Sequence, residues 1–135
     1  MIKKIEHLGI AVKDLKESNR LFAKLLSQES YKQEEVKSEQ VTTSFFQIGE
    51  TKVELLEATG ELSAIKKFIE KKGEGMHHIA LEVDDIKAEM KRVKELGFQL
   101  INEKPKKGAD NKLICFLHPK STGGMLIELC QEIIH

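Results

Sequence analysis

Tryptophan is absent from this 135-residue chain, tyrosine occurs once, and proline and cysteine occur twice each. Cys115 and Cys130 lie inside apolar, strand-like segments without the paired spacing of a zinc ribbon or a disulfide framework, so both read as buried free thiols. Long apolar runs are missing too, which leaves no candidate membrane span. The start Met1-Ile2-Lys3-Lys4-Ile5 enters a strand-like pattern and not the apolar core of a signal peptide. Net charge is the last absence. The 22 Lys and Arg balance the 22 Asp and Glu, so the chain lacks the positive field with which a protein meets nucleic acid or an anionic membrane. The expectation is a soluble cytosolic protein with neither as partner.

What is present is enough apolar material, 40% of residues, to bury one domain-sized core. Residues 5–12 alternate as a half-buried strand. Asp14 then caps a helix with Leu15, Phe22, Leu25 and Leu26 on one face, ending near Ser27. Strand-like stretches follow at about 30–37, 41–48 and 52–58. Leu62, Ile65, Phe68 and Ile69 mark a short connecting helix between Glu61 and Lys72, closed by Gly73. Alternation resumes over 76–83, and Asp85 opens a helix bearing Ile86, Met90 and Val93 that Gly97 ends. Further strands are expected at about 98–102, 112–117 and 124–130.

The pattern is thus β-α-β-β-β twice, in modules of about 1–60 and 74–135, and the residues repeat with it. His7-Leu8-Gly9-Ile10-Ala11-Val12 lies over His78-Ile79-Ala80-Leu81-Glu82-Val83, a shift of 71 positions from 7 to 78. Val53-Glu54-Leu55 lies over Ile127-Glu128-Leu129, a shift of 74 from 54 to 128. Two such copies predict a single α+β domain of tandem βαβββ modules that form a curved mixed sheet.

Strand alternation puts His7 and His78 on the face opposite their apolar neighbours, and does the same for Glu54 and Glu128. Singly, each reads as an ordinary strand residue in contact with water. Their recurrence at matched places in both modules has no such explanation. A divalent cation supplies one, because imidazole nitrogen and carboxylate oxygen suit a borderline metal and two Glu neutralise it. Co²⁺, Ni²⁺, Zn²⁺, Mn²⁺ and Mg²⁺ all satisfy that donor set, and four ligands leave positions open for a chelating substrate.

Other residues carry weaker signals. His77 points away from His78 and reads as packing. His118, before Pro119-Lys120, divides between a pocket rim and a turn role. Lys104 to Gly108 reads as a solvated loop, Gly123-Gly124 serves backbone geometry with close approach to a ligand as the alternative, and His135 is uninformative.

The paired modules with their His and Glu positions resemble the vicinal oxygen chelate superfamily. Gly75-Met76-His77-His78-Ile79, Phe116-Leu117-His118-Pro119-Lys120 and Gly123-Gly124-Met125-Leu126-Ile127-Glu128-Leu129 are similar to the methylmalonyl-CoA epimerases. The resemblance implies an acyl-CoA thioester substrate, proton removal and return at C2 through an enolate stabilised by a divalent metal, and a homodimer. It makes Glu128 a ligand that also acts as base, and places His118, Lys120, Gly123 and Gly124 near substrate. Some epimerases carry a second glutamate where this chain has Thr43. A metal-bound water or Glu39 just upstream then has to serve the second face.

Glyoxalase I shares fold and ligand types but requires arginines for glutathione carboxylates, and this chain has only Arg20 and Arg92, both on predicted helices. A non-catalytic binding protein of the same fold would not need all four ligand positions filled.

Overall fold

The computed structural model describes residues 1–134; His135 lies outside the described residues. Elements follow the order β1 (Ile2–Ala11), α1 (Leu15–Leu26), β2 (Lys32–Val36), β3 (Val41–Ile48), β4 (Thr51–Ala58), α2 (Ala64–Lys72), β5 (Gly75–Val83), α3 (Ile86–Glu95), β6 (Lys106–Lys107), β7 (Lys112–Leu117) and β8 (Ile127–Glu132). The βαβββ order therefore occurs on either side of α2, as the pattern predicts. Contacts divide the chain into two compact units, Leu8–His77 on one hand and Met1–His7 with the residues from His78 onward on the other. No helix among the described residues is long and apolar enough to cross a membrane.

In the unit Leu8–His77 the strands run in the order β2-β3-β4-β1, with β3 antiparallel to both β2 and β4. The Asp14 side chain accepts from Glu17 N at 3.1 Å, while Leu15 N donates to Glu57 Oε2 at 2.8 Å, so two of the orphan amides at the start of α1 are satisfied. Leu15, Phe22, Ala23 and Leu26 pack with Val12, Phe46 and Leu55. Leu25, expected on that face, is 71% exposed. It follows Leu15 by ten residues and falls on the flank of the apolar arc that Leu15, Phe22 and Leu26 define. Helix α2, capped by Ser63, begins later than expected, and Leu62 stays outside it and exposed. Ile65, Phe68 and Ile69 pack on Ala11, Val41 and Leu56.

In the second unit the order is β1-β5-β8-β7-β6. The pairing of β5 with β8 is parallel, and those of β8 with β7 and of β7 with β6 are antiparallel, which makes the sheet mixed. Asp85 caps α3, and Ile86 N donates to Gln131 Oε1 at 2.7 Å, the counterpart of the Glu57 contact 74 positions earlier. Alternation then sorts the side chains. Cys115, Leu129 and the half-buried Leu113 pack with Ile86 and Met90 of α3, while Ala80, Ile114, Cys130 and Phe116 gather on the opposite face. Both cysteines are free and buried, as expected.

Two strand expectations need correction. Residues 98–102 form no strand and make a single bridge, Leu100 to Leu117. The Asn102 side chain interrupts the ladder, because its Oδ1 accepts from Phe116 N at 2.9 Å in place of a backbone carbonyl. The edge strand is instead Lys106–Lys107, inside the segment read as a loop. Strand β8 begins at Ile127 and not at residue 124, since Gly123 and Gly124 take φ of 71° and 94°, values that break an extended backbone.

Candidate functional site

Strand β1 delivers Glu6 and His7, β5 delivers His78 and β8 delivers Glu128, all within the unit that combines Met1–His7 with the residues from His78 onward. All four are buried, at 2%, 5%, 7% and 4% exposure. The Nε2 atoms of the two histidines stand 2.9 Å apart. Glu128 Oε1 lies 3.3 Å from Nε2 of His78 and 3.7 Å from Nε2 of His7. Phe116, directly across from Glu128 in the β7/β8 register, sets its ring edge-to-face with His78 at 5.8 Å.

This arrangement fits a divalent cation. Ligand atoms about 2.1 Å from a metal, at right angles to each other, are separated by about 3 Å. Three buried donors converging at 2.9 to 3.7 Å have that spacing, with two nitrogens and one oxygen of the types such an ion takes. Burial pushes the Glu128 carboxyl up, but the imidazoles of His7 and His78 more than offset this, against an opposing push from Glu6, and the net direction is below the usual carboxylate range.

Glu6 was not among the sequence candidates. Its Oε1 lies 2.8 Å from His7 Nδ1, so an N–H on Nδ1 donates to the carboxylate and the Nε2 lone pair is left for a ligand. The available signal was a charged residue directly before a candidate ligand on a half-buried strand. Alternation argued against it, since neighbours on a strand point to opposite faces.

Glu54 belongs to the other unit. There it is 4% exposed on β4 and stands across from Phe45, as Glu128 stands across from Phe116, so the repeat extends to the strand register. In that same unit Thr43 is 1% exposed on β3, and Glu39 closes a 3₁₀ turn, Lys37–Glu39, ahead of Gln40 with φ of 52°.

His118, Lys120, Gly123 and Gly124 fall in one connection between β7 and β8. His118 Nδ1 accepts from Lys120 N at 3.1 Å and so caps the 3₁₀ turn Pro119–Ser121, while Lys120 and the two glycines are exposed. His77, in the unit Leu8–His77, packs edge-to-face on Phe68 at 5.0 Å, where burial pushes its pKa down to about 4. Arg20 and Arg92 each pair with a glutamate three residues earlier on their own helices.

Comparison with known proteins shows the family of the chain. The profile of the glyoxalase/bleomycin resistance protein/dioxygenase superfamily matches residues 6–116. An ethylmalonyl-CoA/methylmalonyl-CoA epimerase of Cereibacter sphaeroides is 40% identical over 133 residues, covering 97% of this chain and 99% of that protein. A variant of the Streptomyces coelicolor methylmalonyl-CoA epimerase, solved in complex with 2-nitronate-propionyl-CoA, superposes with a TM-score of 0.94 at 31% identity, covering 99% of this chain and all of the other. A methylmalonyl-CoA epimerase solved with methylmalonyl-CoA and NH4+ superposes with a TM-score of 0.93, also at 31% identity, covering 98% and 96%. The fold and the profile match define a protein of the vicinal oxygen chelate, or glyoxalase-like, class. Within that class the chain belongs to the family of methylmalonyl-CoA epimerases.

Proposed function

We propose that the chain interconverts the two C2 epimers of methylmalonyl-CoA and that His7, Glu54, His78 and Glu128 hold a divalent cation for this reaction. The observation that carries the reading is the buried convergence of His7, His78 and Glu128. Glu54 joins the set as the repeat counterpart of Glu128. Two imidazoles favour a first-row ion, Co²⁺, Ni²⁺, Zn²⁺ or Mn²⁺, over Mg²⁺. When bound, the cation supplies Lewis-acid stabilisation of the negative charge that develops on the thioester oxygen.

The side chains do the rest. Glu128, kept ionised beside the two imidazoles, takes the C2 proton on its second carboxylate oxygen and leaves an enolate. Ala80, Ile114, Cys130 and Phe116 form an apolar floor next to it that limits access of water. Inversion requires a donor on the opposite face of the planar intermediate. Thr43 has no carboxylate, so Glu39 serves there. His118, Lys120, Gly123 and Gly124 line the approach of the acyl-CoA. The two modules, about 1–60 and 74–135, act as one functional domain, and the active species is a cytoplasmic homodimer, which light scattering after size-exclusion chromatography tests.

The deciding experiment is deuterium incorporation from D2O at C2 of methylmalonyl-CoA, with metal-loaded and metal-stripped protein. Metal-dependent exchange with inversion is the expected result. Turnover of a glutathione hemithioacetal without any C2 exchange would reassign the substrate.

A further inference from the structure

The backbone of Phe116 is held from the side away from β8. Its N–H donates to Asn102 Oδ1 at 2.9 Å, and its carbonyl accepts from Ile101 N at 2.8 Å. Phe116 and Glu128, partners in the β7/β8 register, are therefore a non-hydrogen-bonded pair. In an antiparallel ladder that is the closer kind, with Cα atoms about 4.5 Å apart and the two side chains neighbours on one face. The Phe116 ring also meets the His78 ring edge-to-face, with centroids 5.8 Å apart and planes at 89°.

His78 is thus bounded by two nearly perpendicular rings, since His7 stands at 84° to it with centroids 5.1 Å apart. The outer torsion of a histidine is broad by itself, so the direction of Nε2 depends on what the ring packs against. Here that direction brings Nε2 to 2.9 Å from His7 Nε2 and 3.3 Å from Glu128 Oε1.

The unit Leu8–His77 repeats the pairing. Phe45 stands opposite Glu54 in the β3/β4 register, and its carbonyl accepts from Tyr31 N at 3.0 Å, as that of Phe116 accepts from Ile101 N. Phe45, however, belongs to the β2/β3 ladder, whereas residues 98–102 form no strand beside Phe116. The Asn102 side chain supplies the missing bond, and the bond it keeps is the one that fixes the residue beside Glu128.

Resting on the reading of His7, His78 and Glu128 as cation ligands, we propose that Phe116 is a positioning residue of that centre, orienting the His78 imidazole and the Glu128 carboxylate, and that Asn102 acts through it by fixing the Phe116 backbone. Phe116 carries no donor atom, so its effect is on the direction of the ligands and not on their charge.

The test titrates metal-free protein with Co²⁺, reading affinity by competition with a chelating dye and ligand geometry by the visible absorption of the bound ion. Phe116→Leu, which keeps an apolar side chain but no ring, is expected to raise the Kd about tenfold and to change the spectrum. Asn102→Ala is expected to act in the same direction by a smaller factor, and Asn102→Asp, which keeps the Oδ1 acceptor, to retain the parental spectrum. The double variant Phe116→Leu/Asn102→Ala is expected to bind no more weakly than Phe116→Leu, because both changes act through one ring. A parental Kd and spectrum in Phe116→Leu, losses that add in the double variant, or a change confined to the melting temperature of the metal-free protein would each overturn the assignment. Comparison with His78→Ala separates the two readings. A wild type that binds Co²⁺ more tightly than His78→Ala but is matched by Phe116→Leu sinks this assignment alone, whereas a wild type that binds no more tightly than His78→Ala sinks both.

Discussion

Glu6 places a carboxylate oxygen 2.8 Å from Nδ1 of His7 while Nε2 of the same ring lies 2.9 Å from His78. The two nitrogens of one imidazole are thereby given different tasks, because a proton held on Nδ1 leaves a lone pair on Nε2. Glu6→Gln removes the negative charge that makes the ring a better donor. The expected outcome is a tenfold or greater rise in the Kd for Co²⁺ or Zn²⁺, measured by competition with a chelating dye. An unchanged Kd would reduce the pair to packing.

The metal itself should register as stability. The buried His7, His78 and Glu128 converge without intervening neutral groups, so a cation that binds only the folded chain must raise its melting temperature. At a hundredfold excess over Kd the shift is roughly 10 °C. Calorimetry with EDTA and then with each metal checks this, and equal melting temperatures throughout would count against the site.

Glu128→Gln keeps the size of the side chain but removes the negative charge on which both roles proposed for Glu128, ligand and base, depend. Deuterium exchange is expected to fall by at least about a thousandfold. Activity within a few-fold of the parent would contradict both roles.

Glu39→Gln addresses the second face of the intermediate. If Glu39 returns the proton there, inversion falls by about a hundredfold while exchange with retention persists. Inversion at the parental rate would transfer the role to water.

Acid sensitivity should trace in part to His77. Its folded pKa, about 4, lies below the ordinary value of 6.5 because it is buried against Phe68. Above pH 6.5 the ring is neutral in both states and costs nothing. As the pH falls from 6.5 toward 4, the unfolded chain takes up a proton that the folded chain refuses, so stability is lost across that window. Urea denaturation of metal-free protein at pH 7 and pH 4.5 is expected to show a loss about 2 kcal/mol smaller in His77→Phe than in the parent. Parallel losses would mean that other groups govern the acid limb.

Local chemistry and repetition made most of the fold legible in the sequence. Asp14 and Asp85 cap helices because a short acidic side chain before an apolar periodic run has few better uses, and the strand periods placed β3 and β7 to the residue. The same repetition singled out His7, His78, Glu54 and Glu128, since matched polar residues on the non-helical face of two modules have no packing role. Tertiary structure alone decided what depends on a partner distant in sequence. Asn102 Oδ1 takes the Phe116 amide and denies residues 98–102 their ladder, which no window of residues around Asn102 reveals. Nε2 of His7 comes within 2.9 Å of Nε2 of His78 across 71 positions of sequence, a contact that neither segment reveals by itself. The reason is common to them: periodicity reports which face a residue takes, whereas hydrogen bonds and charge pairing are settled by neighbours that only folding brings near.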